Sequence, residues 1–150
     1  MALLAETAAL LTHKEHAAEL DHLLAPYASR IAVAGHFFPM GAMSRYTGML
    51  AAVLSRLDEA ACRLEDAAAT NAAIGARPWV AHAKADHARV LLTRQAPGDR
   101  EHARDLLRDA GATYQQLDDD GLGGQGLHAA RTGPRSHRLL RQSADRGHPR

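Results

Sequence analysis

One twelve-residue segment of the chain occurs twice. Glu59-Ala-Ala-Cys-Arg-Leu-Glu-Asp-Ala-Ala-Ala-Thr70 returns 43 residues later as His102-Ala-Arg-Asp-Leu-Leu-Arg-Asp-Ala-Gly-Ala-Thr113, with six positions identical. A period of about 20 to 50 residues marks a repeat array, in which each helical hairpin is too small to bury its apolar side alone and stacks on its neighbours. Proteins built this way commonly bind other proteins, so the repeat constrains architecture first and function class second.

Composition agrees with a helical reading. Alanine supplies 32 of the 150 residues and aromatic side chains only 4%, so intrinsic propensity favours helix along most of the chain. Alanine lets helix axes approach closely. At about 25 cal/mol per Å² of apolar area, however, each one contributes little, and marginal stability is expected. Cys62 is the one cysteine, without an internal disulfide partner, and the N-terminal Met1-Ala-Leu-Leu-Ala-Glu6 carries an acid where a secretory leader carries Lys or Arg. The longest nearly uncharged apolar stretch, Ile31 to Met43, contains Gly35, His36, Pro39 and Gly41 and is far shorter than the roughly 20 residues of a membrane span. The chain is expected to be cytoplasmic, with no membrane partner.

Charge divides the chain in two. Residues 1–120 hold 12 Lys and Arg against 16 Asp and Glu, whereas residues 121–150 hold six Arg against Asp145 alone. Helical spacing of apolar residues runs from Leu3 to Leu11, then from His13 towards Leu24 with Thr12 as N-cap, and Pro26 kinks or restarts that helix. Gly35 to Gly41 reads as a loop. Ser44 caps a helix through Tyr46, Leu50 and Leu54; Asp58 caps one reaching Ile74, where Gly75 ends it. Pro78 suits the first turn of the next helix, and Asp99 caps a last one ending near Leu117. Beyond it the helical pattern fails, and the Gly- and Arg-rich residues 119–150 read as a flexible, disordered basic tail following a helical domain of residues 1–118.

The segment from Tyr46 to Ala67 resembles a tetratricopeptide repeat, which keeps small residues where its two helices cross and a larger apolar residue between them. Gly48, Ala60, Leu64 and Ala67 match that spacing, as do Ala88, Ala103, Leu107 and Ala110 in the next unit, where three extra residues lengthen the turn holding Pro97 and Gly98. Ala17, 43 residues before Ala60, marks a degenerate first unit: Asp21 stands at an apolar position and Pro26 interrupts the helix. Five strings in order are similar to the C-terminal helical region of large bacterial ATPase regulators. They are Leu23-Leu-Ala-Pro-Tyr-Ala28, Ser44-Arg-Tyr46, Leu57-Asp-Glu-Ala60, Gly75-Ala-Arg-Pro-Trp79 and Pro97-Gly-Asp-Arg100. In that family a signal-transduction ATPase module precedes the repeats, with an adenylate cyclase-like domain in front or a LuxR-type DNA-binding domain behind. The resemblance covers about residues 1–118. Neither a G-x-x-x-x-G-K-[ST] phosphate loop nor a helix-turn-helix pattern nor a cyclase metal site is present, so ATP hydrolysis, cyclisation and DNA reading do not carry over.

Single residues carry less. His13 and His16 share a helix face at i and i+3, but a zinc site needs three or four convergent ligands, and the ten histidines are expected to be solvent-exposed. Cys62 lacks a positioned base and reads as a small packing residue; Trp79 and Tyr46 read as core. The tail arginines have no interleaved aromatic residue to stack bases, which disfavours nucleic acid. The resemblance implies a binding side, since tetratricopeptide stacks expose the first helix of each hairpin on their concave side; by spacing from Gly48 and Ala88 that side would present Arg45, Met49, His82, Ala85 and Arg89, two arginines beside an apolar strip that could hold a carboxylate or an acidic peptide.

The expected protein is therefore all-α, a tetratricopeptide-like stack of about three hairpins forming an αα superhelix. It is not an enzyme, and no catalytic residue, metal or cofactor is assigned. Its expected role is a protein-interaction or regulatory module resembling the sensor repeats of a bacterial ATPase or transcriptional regulator, either independent or a detached fragment. A nucleic-acid-associated piece of a LuxR-type regulator is the alternative, and a small helical enzyme or metal-binding protein the second. Exposed repeat ends, with Leu3, Leu4, Leu10 and Leu11, are expected to promote self-association.

Overall fold

The computed structural model describes residues 1–34 and 38–122. Among them the chain is mostly helical: α1 (Ala2–Leu10), α2 (Lys14–Leu24), α3 (Met43–Val53), α4 (Leu57–Ala73), α5 (Arg77–Arg94) and α6 (Asp99–Leu122). A two-stranded sheet, β1 (Ile31–Ala34) and β2 (Phe38–Ala42), lies between α2 and α3. Met1–Gln116 form one compact unit. Leu117–Arg150 form a second, of which the last turns of α6 are described. Helix α6 runs past its expected end near Leu117; the rest of the expected tail lies outside the described residues.

Backbone punctuation falls where the sequence places it. Pro26 sits in a 3-10 turn, Ala25–Tyr27, that follows the last turn of α2, and Pro78 lies in the first turn of α5. Gly75, with φ +69°, follows the end of α4, and Gly98, with φ +86°, precedes α6; both adopt the left-handed conformation that glycine takes without a steric cost. The caps differ. Helix α2 starts after His13, α3 at Met43 and α4 at Leu57, and none of these starts has a side-chain cap hydrogen bond. Asp58 instead accepts from Arg94 Nη1 at 2.9 Å. Asp99 accepts from Arg94 Nη2 at 2.6 Å and from the Ala96 amide at 2.8 Å. Arg94 thus ties the start of α4 to the turn between α5 and α6.

The central hairpin is α3 with α4, and its crossing point is Gly48. A Cβ at Gly48 would lie 2.9 Å from Leu64 Cγ and 3.4 Å from the Ala60 carbonyl oxygen, so only glycine allows this approach without movement. Leu64, Ala60, Ala88, Leu91 and Ala103 share one core that joins this hairpin to α5 and α6; Ala67 packs with Ala83 and Ala42. Ala110 is buried as well. A second core gathers Ala5, Ala17, Leu24, Tyr46 and Leu50, seating α1 and α2 against α3. Asp21, the acid at an apolar repeat position, is buried and satisfied by Arg56 and by Arg63 Nη1 at 2.6 Å. Burial alone would raise its pKa, but these two hydrogen bonds and their charges outweigh it and hold the carboxyl below its ordinary range.

Three expectations are corrected. The stretch expected as a loop contains strand β2, paired antiparallel with β1 through Ile31↔Ala42 and Val33↔Pro39. It is fastened from outside: the buried Asn71 accepts from the Ala42 amide at 2.8 Å and donates to the Trp79 carbonyl at 3.2 Å, and Tyr46 Oη donates to the Met40 carbonyl at 2.8 Å. Gly41, with φ +77°, leaves room for the half-buried Trp79 ring, which a Cβ there would meet at 2.8 Å. Leu107 is 46% exposed although its counterpart Leu64 is fully buried. Cys62 is exposed, because it lies off the face of α4 that carries Ala60, Leu64 and Ala67 inward.

Candidate functional site

The first helices of the hairpins, α1, α3 and α5, lie side by side, and a groove of about 160 Å³ runs between them. Leu10 comes from α1, Met49 and Ala52 from α3, Asp86, Arg89 and Val90 from α5, and Leu57 and Leu64 of α4 complete the wall. The helical repeat explains the α5 set, since His82, Asp86, Arg89 and Thr93 recur at three- and four-residue spacing and so share a face. Most of the wall is apolar. Its polar side is built around Asp86.

Asp86 is buried and accepts two charged hydrogen bonds, from Arg45 Nε at 2.7 Å on Oδ2 and from Arg89 Nη1 at 2.9 Å on Oδ1. Arg45 Nη2 also reaches Glu6 Oε1, at a longer 3.4 Å. The Arg45 guanidinium lies 5.4 Å from the centre of the Tyr46 ring, and its Nη1 is buried with no hydrogen-bond partner among the described residues. An unsatisfied buried donor costs about 1–3 kcal/mol, more when charged. Burial alone would lower the Arg45 pKa, but Asp86 and Glu6 outweigh it, so the group stays charged.

Next to this cluster, His82 and Tyr114 Oη share a hydrogen bond of 2.9 Å, and the Trp79 ring lies 5.3 Å from His82. Burial lowers the His82 pKa and the Arg45 charge lowers it further, which keeps the imidazole neutral near pH 7. Elsewhere, His87 is buried with its ring edge towards His102 at 5.4 Å, contrary to the expectation that all histidines face solvent. Burial lowers its pKa, and the His102 charge adds to that. Among the described residues no three His, Cys, Asp or Glu side chains gather into a group that would hold a metal, and no helix is long and apolar enough to cross a membrane.

The site residues expected from sequence are only partly brought together. Met49 and Arg89 line the groove, Arg89 being 71% exposed at its side chain, and His82 lies half-buried on the same face of α5. Arg45 is corrected: it is 5% exposed, turned into the hairpin stack where Asp86, Glu6 and Tyr46 enclose it, and presents no open guanidinium. Asp86 and Glu6 were not assigned. The spacing of Asp86 between His82 and Arg89 signals the first, whereas nothing in sequence links Glu6 to a residue 39 positions away. A separate apolar depression of about 480 Å³ between α1 and α2 is lined by Leu4, Leu11, Leu20, Leu23, His13 and His16. Leu3, Leu4, Leu10 and Leu11 are each more than half exposed.

Comparisons of the chain with protein-family models, with curated proteins and with solved structures find no match.

Proposed function

We propose that the chain is a non-catalytic protein-interaction module, a tetratricopeptide-like stack whose groove between α1, α3 and α5 takes up a peptide segment of a partner. The resemblance to the sensor repeats of bacterial ATPase regulators, a region that would sense a ligand or a partner, supports this reading. The observation that carries the proposal is the make-up of the groove: α1, α3 and α5, with Leu57 and Leu64 of α4, contribute to one apolar wall ending in Asp86 and Arg89. A pocket of about 160 Å³ accommodates one or two apolar side chains rather than a drug-sized ligand, which suits a peptide anchored at a few positions. Arg89 adds an exposed cation on the rim, so the preferred segment carries an acid beside its apolar anchor.

Panning a displayed peptide library on the protein tests this reading. Enriched peptides should combine Leu, Ile or Phe with Asp or Glu, and should lose binding to both Met49→Glu and Arg89→Glu. Peptides that bind those two variants as well as they bind the unaltered chain would place the interaction surface elsewhere.

A further inference from the structure

The Arg45 guanidinium has three polar edges and an uneven set of partners. Its Nε side is committed to Asp86 at 2.7 Å. Its far end, Nη1 with Nη2, is held more loosely: Nη2 has the long 3.4 Å contact to Glu6, the guanidinium leans on the Tyr46 side chain, and Nη1 has no hydrogen-bond partner among the described residues although the side chain is 6% exposed. That end is a fork of two parallel N–H donors, the geometry that accepts both oxygens of one carboxylate. Asp86 already serves two guanidinium groups, Arg45 Nε on Oδ2 and Arg89 Nη1 at 2.9 Å on Oδ1. One buried donor among the described residues, Arg45 Nη1, is therefore left over. Glu6, on a different helix and with its side chain 31% exposed, is the most accessible of the two carboxylates that touch Arg45.

We propose that the far end of Arg45 is a binding site for a peptide carboxylate, and that Glu6 occupies it as an internal substitute until such a carboxylate displaces it. The proposal rests on the groove reading above and adds the ligand chemistry: a segment that sets a carboxylate beside an apolar side chain. The apolar side chain enters between Leu10 and Met49, and the carboxylate reaches the enclosed Arg45 beyond the Asp86 end of the groove wall only by displacing Glu6 from Nη2. Charge complementarity favours this occupant, since Arg89, bonded to the other oxygen of Asp86 and 71% exposed at its side chain, adds a second positive charge to the cluster. Because Glu6 lies on α1, its release also loosens one tie between α1 and α3, which couples occupancy of the site to the seating of the N-terminal helix.

The test is a nuclear magnetic resonance titration of the full chain, reading the Arg45 Nε–H signal and the Met49 methyl signal. Three probes are used: acetyl-Leu-Leu with a free C-terminal carboxylate, the same peptide as its amide, and acetyl-Leu-Glu-Leu-amide, which carries the carboxylate on a side chain. Carboxylate peptides should shift both signals, and the amide should bind at least tenfold more weakly. Glu6→Gln and Glu6→Asp, one neutral and one too short, should each tighten the carboxylate peptides about threefold or more by removing the competitor, without changing the amide. Arg45→Lys, which keeps the charge and loses the fork, should weaken them about tenfold.

If carboxylate peptides bind the unaltered chain but neither Glu6 variant tightens them, Glu6 is only a structural ion pair and the inference fails while the groove reading stands. Equal binding of acid and amide removes the carboxylate site and again leaves the groove. If no probe moves the Met49 methyl, both readings fall. The two acid probes separate a C-terminal from a side-chain carboxylate, and binding by either one supports the site.

Discussion

Leu64 and Leu107 hold the same place in the 43-residue repeat and have opposite surroundings. Leu64 is fully buried, wedged against Gly48 and packed with Ala88 and Leu91 of the following helix, whereas Leu107 is 46% exposed. The residue is the same; the neighbour differs. Leu64 is covered because α5 stacks on α4, and among the described residues no further hairpin stacks on α6 in the same way. Asp21, 43 positions before Leu64, makes the same point from the other end, since there an acid meets Arg56 and Arg63 in place of an apolar contact. The same residue at equivalent sequence positions is thus buried or exposed according to what packs on that face of its helix.

This comparison is most strongly tested by truncating both leucines. Leu64→Ala should cost about 2–5 kcal/mol, the range for a buried leucine whose site cannot collapse, while Leu107→Ala should cost less than about 1 kcal/mol. Chemical denaturation measures both. Equal losses would show that Leu107 is covered in solution, either by a second copy or by another part of the chain.

The two helical glycines at hairpin positions sharpen it further. Gly48→Ala forces a Cβ to within 2.9 Å of Leu64 Cγ and should destabilise by about 1–3 kcal/mol, and Gly48→Leu by more. A Cβ at Gly111 meets nothing within 4 Å, so Gly111→Ala should stabilise by up to about 1 kcal/mol through helix propensity. Stabilisation by Gly48→Ala would mean that the α3–α4 crossing is looser than described.

The smallest effect is pH dependence. Burial, then the His102 charge, lowers the His87 pKa below its ordinary 6.5, partly offset by Glu65 and Asp99 and reinforced by Arg94. The unfolded chain therefore binds the proton first as pH falls, and stability is lost from about pH 6.5 downward until the folded-state pKa is reached. His82 contributes with the same sign, through burial and Arg45. His87→Gln should flatten part of this slope in thermal unfolding followed between pH 7 and 5. An unchanged slope would show that His87 is not held neutral in the folded state.

Much of the helical order was legible because it rests on local chemistry. Pro78 and Gly75 bound their helices, and the matched Gly48, Ala60 and Leu64 foretold a close crossing that the contact distances reproduce. The β-hairpin was hidden. Gly35, Pro39 and Gly41 signal a break in any single-sequence reading, and the forces that fasten the strands come from Asn71 and Tyr46, which lie outside the segment. Met49 and Arg89 were readable from helical spacing, but Arg45 was not, because its burial depends on Asp86 and Glu6 from two other helices. The cap expected at Asp58 failed for a related reason: α4 has no side-chain cap hydrogen bond, and Asp58 finds its partner in Arg94.

The claim that the face shared by α1, α3 and α5 is the binding surface is tested most directly by the methionine methyl spectrum. The chain has four methionines, of which Met49 lines the groove, while Met1 and Met43 border a different depression beside β1 and Met40 lies in β2. On titration with acetyl-Leu-Glu-Leu-amide, the Met49 methyl signal should move in a saturable way while those of Met1, Met40 and Met43 stay in place. Movement of Met1 and Met43 with Met49 unchanged would contradict the account.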